Sequence, residues 1–284
     1  MSVWSILLII LLILIAIGCF AGGAAHAGCA FLAVCAIYYF WGLDDCDKNP
    51  QWNYCLVHFA KKGDFSSVRR GIRQGGDVNA GKNALLKEAI AWRDVSMVKY
   101  LVEKNAVIEA KMYLMADKNG AKLVDELIKS KKNYEVALIY GSRENRVSLI
   151  DKLLTAKANV NYQDKYGDTA LAISVKNKYH ALTDMILKYR PEMNVRNKKG
   201  ETALFYATRN NDLRAVKQLV GRGAKVNVKD NKGDYAVALT TSMDVIAYLH
   251  AKKAVIPGKI ADMLVDKNES VMEDPRYLKI FYAD

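Results

Sequence analysis

The apolar residues of the chain follow two patterns, and the change between them falls near residue 43. Residues 1–43 contain no Asp, Glu, Lys, Arg, Asn or Gln, so their apolar positions are nearly continuous. Farther along, apolar residues recur at helical spacing, as at Leu182 and Ile186, which are four positions apart. This spacing places apolar side chains on one face of a helix. The pattern therefore predicts an all-α domain that follows an N-terminal apolar segment.

The N-terminal apolar segment is too long for one straight membrane span. Residues 3–43 would form a helix of about 60 Å, twice the thickness of a bilayer core of about 30 Å. Two spans at residues 3–20 and 24–42, joined near Gly22, match the bilayer, and Trp4 then lies at the same interface as the aromatic cluster 38–41. We therefore expect a transmembrane helix or, more specifically, a helical hairpin.

Basic residues near this segment predict its orientation. No Lys or Arg precedes it, whereas Lys48, Lys61 and Lys62 follow it, so the C-terminal side is expected in the cytoplasm. The alternative is a secretory signal cleaved near residues 25–27, although such signals normally begin with basic residues. Export would also allow Cys46 and Cys55 to form a disulfide. Both alternatives stay open at this point.

The rest of the chain contains an internal repeat of 33 residues. Glycine returns at this period, and it follows Asp or Asn three positions earlier, where a turn with positive φ suits glycine. The helix opening Thr169-Ala170-Leu171 also returns, with a hydroxyl placed to cap the helix. The residues in register are Gly167, Gly200 and Gly233; Asp164, Asn197 and Asp230; Asn161, Asn194 and Asn227; and Thr169 and Thr202. Several registers at one period indicate stacked structural units.

The unit at residues 197–227 resembles an ankyrin repeat in its order of turn, Thr-Ala-Leu helix opening and closing Gly-Ala-Lys-Val-Asn. This resemblance implies a solenoid of about six to seven helix-turn-helix units over residues 54–257, after a juxtamembrane linker at 44–53. Residues 258–284 are expected to form capping helices. The unit at 111–133 is shortened, and the copy at 235–256 must have a clipped first helix.

No catalytic or metal-binding motif is found in the sequence. The four histidines are scattered, and the sequence lacks the nucleophile elbow, phosphate-binding loop and zinc motifs. We therefore expect no enzyme activity, no cofactor and no metal. The formal net charge of +12 is spread over the repeats without a nucleic-acid-binding motif, so nucleic acid is not an expected partner.

The resemblance implies that partners bind at the turn tips and at the first residues of the inner helices. Lysines dominate these positions, which favours a partner with an acidic surface or an anionic lipid surface. Tyr166 is the expected aromatic anchor. The predicted partner-binding residues are Lys165, Tyr166, Asp168, Lys176, Arg196, Lys198, Lys199, Glu201, Arg209, Lys229, Asn231, Lys232 and Asp234.

Two functional hypotheses follow from these features. The first is a non-enzymatic, membrane-anchored scaffold that holds another protein at the cytoplasmic face. The alternative is an exported or envelope-facing immunity or inhibitor protein, on the periplasmic or extracytoplasmic side, that neutralises a toxin or an enzyme. In an uncleaved membrane segment, Gly18 and Gly22 are spaced to allow close helix packing, and hence a homo-oligomer, which makes a structural assembly protein a third option.

Overall fold

The computed structural model describes residues 52–267 and 272–282. The predicted spans at residues 3–20 and 24–42, and most of the linker at 44–53, lie outside this part of the chain and stay predictions. Within the described ranges, no helix is both long enough and apolar enough to cross a bilayer.

The chain divides into two compact units, and residues 52–81 are the described part of the first. Its helices are α1 (Trp52–Lys61) and α2 (Phe65–Arg73). Asp64 ends the turn between them and caps α2, because its carboxylate accepts the Ser67 N–H at 3.1 Å. Leu56 and Val68 are fully buried, so the two helices share an apolar contact.

The second unit comprises residues 82–284, and α3 carries the chain into it. Helices follow one another in pairs. They are α3 (Ala80–Ala91) with α4 (Val95–Glu103), α5 (Ala110–Asn119) with α6 (Ala121–Ile128), α7 (Tyr134–Arg143) with α8 (Val147–Thr155), α9 (Ala170–Lys176) with α10 (His180–Lys188), and α11 (Ala203–Arg209) with α12 (Leu213–Gly221). A 3-10 helix (Ala236–Leu239) pairs with α13 (Met243–Ala251), and α14 (Lys259–Lys267) and α15 (Pro275–Phe281) complete the series.

Successive pairs of the second unit stack in two layers. In one layer α5, α7, α9, α11 and the 3-10 helix pack in series, and in the other α4, α6, α8 and α10 do so. Leu153, Leu182 and Phe205 are fully buried by this stacking. A single helix pair cannot cover its own apolar face, so each pair depends on its neighbours. For the residues that the structure describes, the all-α class expected from the sequence is confirmed.

The shortened unit at residues 111–133 consists of two helices with almost no connection between them. Only Gly120, at φ +153°, separates α5 from α6. The Tyr113 hydroxyl donates to the backbone carbonyls of Leu127 at 3.2 Å and Lys132 at 2.7 Å, and the ring is fully buried. This tyrosine therefore holds the end of α6 against α5.

The clipped helix expected in the copy at 235–256 is present as the 3-10 helix of four residues. Thr240 follows it, and its hydroxyl donates to Asn211 Oδ1 at 2.7 Å. Asn211 Oδ1 also accepts the Thr241 N–H at 3.1 Å. The preceding unit thus fixes the end of the shortened helix through one asparagine side chain.

Candidate functional site

Three turns at the 33-residue period project from the second unit. In each, the glycine N–H donates to the backbone carbonyl three residues earlier, at 2.9 Å in 164–167, 2.9 Å in 197–200 and 3.1 Å in 230–233. The glycines have φ of +84°, +79° and +86°, as the sequence predicted. Asp164 shows why the first residue is Asp or Asn, because its Oδ1 accepts the N–H groups of Tyr166 and Asp168 at 2.8 and 2.9 Å.

These turns bond to one another and form a hairpin row, which we define as residues 163–169, 196–202 and 229–235. Lys198 N–H donates to the Tyr166 carbonyl at 3.0 Å, and Asn231 N–H donates to the Lys199 carbonyl at 2.9 Å. The Asn231 side chain adds a bond from Nδ2 to the Lys198 carbonyl at 2.9 Å. Main-chain bonds therefore fix the spacing of the tips.

Side chains brace the hairpin row at its base. Gln163 Nε2 donates to the carbonyls of Gly167 at 2.7 Å and Arg196 at 2.9 Å. Arg196 repeats this arrangement one unit later, donating to Gly200 at 3.1 Å and Lys229 at 2.9 Å. The Arg196 guanidinium is thus engaged inside the row.

Asp168, Glu201 and Tyr206 are buried at the first two hairpins. Together with the half-buried Asn197 and the exposed Arg209 they form a polar group that we call the Tyr206 cluster. Asp168 is 5% exposed. Its Oδ1 accepts the Tyr206 hydroxyl and Asn197 Nδ2, both at 2.9 Å. Glu201 is 6% exposed and forms an ion pair with Arg209. The carboxylates of Asp168 and Glu201 are thus both engaged by other residues of the chain.

The Tyr206 ring also orders two of the predicted basic residues. Lys176 Nζ lies 5.3 Å from the ring centroid and 3.9 Å from Asp168 Oδ2. Arg209 Cζ lies 5.5 Å from the same centroid. Cations over an aromatic face are stabilised by its quadrupole. The cluster therefore positions positive charge beside the hairpin row.

Other members of the predicted set are exposed on the row. Tyr166 is 56% exposed, and Lys165 Nζ lies 5.0 Å from its ring centroid. Lys229 Nζ lies 5.1 Å from the Tyr235 ring centroid, and the Asp234 carboxylate accepts Lys259 Nζ at 2.5 Å. Lys198, Lys199 and Lys232 are exposed and form no ion pair with any described residue.

The sequence interpretation missed Asn197, Tyr206 and Gln163 as site residues. Asn197 served only to establish the period, whereas its amide joins Asp168 to Tyr206 Oη at 2.9 and 3.0 Å. A signal was available, because Asp168 and Glu201 are acidic residues at the same position of consecutive repeats. Acids at such a position directly before a helix opening predict an internal acceptor as readily as a surface charge.

Residues 112–230 match the family model of ankyrin repeats, in three copies. Ankyrin repeats are therefore present in this chain, and the all-helical repeat solenoid predicted from the sequence is supported. Among solved structures, the ankyrin repeat domain of Bcl-3, described as a unique member of the IkappaB protein family, is similar with a TM-score of 0.60. It is 21% identical, and the match covers 69% of this chain and 97% of that one. A search of curated protein sequences returned no significant match.

We expect the stability of the second unit to fall at alkaline pH because of Tyr206. Burial, and then its hydrogen bond to Asp168, raise the pKa of Tyr206 well above its usual value. An unfolded tyrosine ionises near pH 10, so this contribution is complete below about pH 10 and is lost as pH rises further. Each such tyrosine adds a slope of up to about 1.4 kcal/mol per pH unit. Urea unfolding of Tyr206→Phe should show a shallower decline than wild type.

The control for this experiment is Tyr166→Phe, which removes a tyrosine whose side chain is 56% exposed on the hairpin row. Identical slopes for wild type and Tyr206→Phe would contradict the assignment of alkaline instability to this hydroxyl.

Proposed function

We propose that this chain is a non-enzymatic scaffold whose ankyrin repeats bind a protein with an acidic surface through the hairpin row. Ankyrin arrays are protein-interaction modules, and solenoids of this kind present extended binding surfaces. The observation that carries the proposal is a line of exposed lysines, Lys198, Lys199 and Lys232, which pair with no described acidic residue and lie beside the exposed ring of Tyr166.

The rigidity of the row supports this function. Main-chain bonds join the tips, and Gln163 and Arg196 brace their bases. A surface that is already ordered loses little conformational entropy when it binds. Asp168 and Glu201 contribute from below, since they hold Lys176 and Arg209 in place without presenting negative charge to the partner.

We also propose that residues 3–42 anchor the repeats at a membrane, with the repeats in the cytoplasm. The support is the charge-free N-terminal sequence and the lysines that follow it. Such an anchor confines the hairpin row near membrane-bound partners and so raises their effective concentration.

Reversing charge on the hairpin row is expected to weaken partner binding. Lys198→Glu/Lys199→Glu replaces attraction by repulsion at two exposed positions. We expect the variant to capture about tenfold less of the partner than wild type does from one and the same cell lysate. The full-length chain would be used in a pull-down with quantitative mass spectrometry. Lys122→Glu/Lys225→Glu is the matched control, because it makes the same charge change at exposed lysines outside the row. An equal loss of partner capture in both variants would contradict the assignment of the hairpin row as the binding surface.

The topology is tested by protease accessibility of a C-terminal tag in sealed cells, together with the intact mass of the chain. A protected tag on an uncleaved chain is expected. A digested tag, or a mass that lacks the N-terminal segment, would overturn the cytoplasmic placement.

One observation favours the second candidate function, an exported or envelope-facing protein that neutralises a toxin or an enzyme. Cys55 is disulfide-bonded, and structural disulfides persist mainly in oxidising compartments. Alkylation of intact cells followed by non-reducing mass analysis separates the two candidates. A Cys55 thiol that is alkylated in cells supports the cytoplasmic scaffold, and an oxidised Cys55 supports export.

A further inference from the structure

A cavity of about 230 Å³ lies at the N-terminal end of the hairpin row. One wall is helix α7 and the other is the first hairpin with the residue before it. The wall from α7 is mainly apolar, and the hairpin adds a tyrosine and two charged groups. The lining residues are Val136, Ile139, Tyr140 and Arg143 on α7, and Tyr162, Asp164 and Lys165 opposite.

The cavity exists because the preceding unit has no hairpin. Residues 129–133 connect α6 to α7 directly, whereas residues 156–169 connect α8 to α9 and contain the hairpin. The first hairpin therefore has a neighbour on one side only. On its other side, the position that a hairpin would occupy is open above α7.

This open side leaves a backbone donor without an acceptor. Lys198 N–H and Asn231 N–H each donate to the hairpin before them, at 3.0 and 2.9 Å. Lys165 occupies the same position one repeat earlier, and its N–H meets no acceptor within the described ranges. The row of bonds between tips therefore begins with a free donor on an exposed residue at the rim of the cavity.

The charge at the cavity is positive. Arg143 Nη2 pairs with Asp164 Oδ2 at 2.5 Å, and the side chain of Asp164 is 6% exposed. The other oxygen of Asp164 accepts two turn N–H groups, so both oxygens of this carboxylate already have partners within the chain. Lys165 adds a further positive charge at the mouth, next to the exposed ring of Tyr166.

We propose that this cavity binds an extended acidic segment of a partner protein. A partner carbonyl accepts the Lys165 N–H, an apolar side chain enters the space against Val136 and Ile139, and a carboxylate meets the Lys165 ammonium group. Addition of an extended segment to an exposed edge combines main-chain bonds for affinity with a pocket for specificity. This inference rests on the proposed function and names the chemistry of the partner.

Charge distinguishes this occupant from a second copy of the chain. The chain carries a formal net charge of +12, so two copies repel one another, whereas an acidic segment is complementary to the cavity mouth.

The test begins with selection of displayed random peptides on the immobilised full-length chain. We expect enrichment of peptides that carry an apolar or aromatic residue flanked by Asp or Glu. The most enriched peptide is then labelled with fluorescein, and its affinity for each variant is measured by fluorescence anisotropy.

Two pairs of variants isolate the features of the site. Lys165→Ala removes the charge and keeps the N–H, whereas Lys165→Pro also removes the N–H at the second turn position, which accommodates proline. We expect Lys165→Pro to bind about fivefold more weakly than Lys165→Ala. Val136→Phe fills the cavity and is expected to weaken binding more than tenfold. Val147→Phe makes the same change at a half-buried valine on α8 outside the cavity and should bind as wild type.

The outcomes separate this proposal from the wider one. In one outcome the selected peptide binds Val136→Phe and Lys165→Pro as tightly as wild type but fails to bind Lys198→Glu/Lys199→Glu. That result would overturn the cavity as the site and leave the proposed function standing. Enrichment of no acidic peptide would overturn the proposal, as would a concentration-dependent dimer abolished by Val136→Phe, since the occupant would then be a second copy.

Discussion

Replacement of Gly167 by alanine is expected to destabilise the second unit by about 2–4 kcal/mol, because two costs add at this position. Gly167 has φ +84°, and a side chain there is strained even in open space. An added Cβ would also lie 2.8 Å from both Asn197 Cα and Lys198 N. These are backbone atoms of the next hairpin, so they cannot move aside by a change of rotamer. The bond between Lys198 N–H and the Tyr166 carbonyl should break as the hairpins separate.

Gly233→Ala is the matched control, because it shares the strain without the clash. Gly233 has φ +86°, and nothing lies within 4 Å of an added Cβ. We expect a loss of about 1 kcal/mol from this substitution. Urea unfolding followed by circular dichroism measures both variants. Equal losses would show that the close approach of neighbouring hairpins contributes nothing to stability.

The second large effect is expected from Asp168→Ala, with a loss of about 2–4 kcal/mol. The substitution leaves the Tyr206 hydroxyl and Asn197 Nδ2 without their shared acceptor in a buried site. Buried donors without partners cost more than the bond itself contributes. Lys176 also loses the carboxylate that lies 3.9 Å from its ammonium group.

A double-mutant cycle with Tyr206→Phe tests this explanation. The phenylalanine ring needs no acceptor, so adding Tyr206→Phe to Asp168→Ala should cost less than Tyr206→Phe costs in wild type. Thermal and urea unfolding of the four proteins give the coupling free energy. Strict additivity would mean that Asp168 stabilises the fold through something other than the Tyr206 hydroxyl.

The positions of the hairpins were predictable from the sequence, because their chemistry is local. The turn requires a side-chain acceptor at its first residue and a positive φ at its fourth. Asp or Asn therefore stands at the first position and Gly at the fourth, at a fixed spacing. Thr169 caps its helix as predicted, with its hydroxyl accepting the Ala172 N–H at 3.2 Å. Thr202 occupies the same position but makes no side-chain capping bond; the Phe205 N–H instead donates to its carbonyl at 3.0 Å.

The burial of Asp168 and Glu201 was not predictable from local pattern. Acidic residues are mostly exposed, and the family resemblance placed both of these on the binding surface because of their position beside the turn tips. Asn197 and Tyr206 reach Asp168 only after the next unit stacks, and Glu201 pairs with Arg209 eight positions along its own unit. Whether either acid also contacts a partner stays a prediction.

The cavity beside α7 was missed for a related reason. The period of 33 residues describes what each full repeat contains. The cavity arises because the unit before the first hairpin has no hairpin of its own. Val136, Ile139 and Arg143 follow the ordinary helix pattern, and nothing local distinguishes them. Their significance appears only when the first hairpin is placed above α7 without a neighbour.

The contacts that hold together the hairpin row and the Tyr206 cluster join residues no more than about one repeat apart along the chain. The bonds that join one unit to the next within them connect residues 29 to 38 positions apart, about one repeat. Closing a loop of this size costs little more entropy than closing a shorter one. Structures whose contacts stay within about one repeat have a low contact order and fold faster than those that join distant parts of the chain. During synthesis, each unit can therefore dock onto its predecessor as soon as it leaves the ribosome, without waiting for the end of the chain.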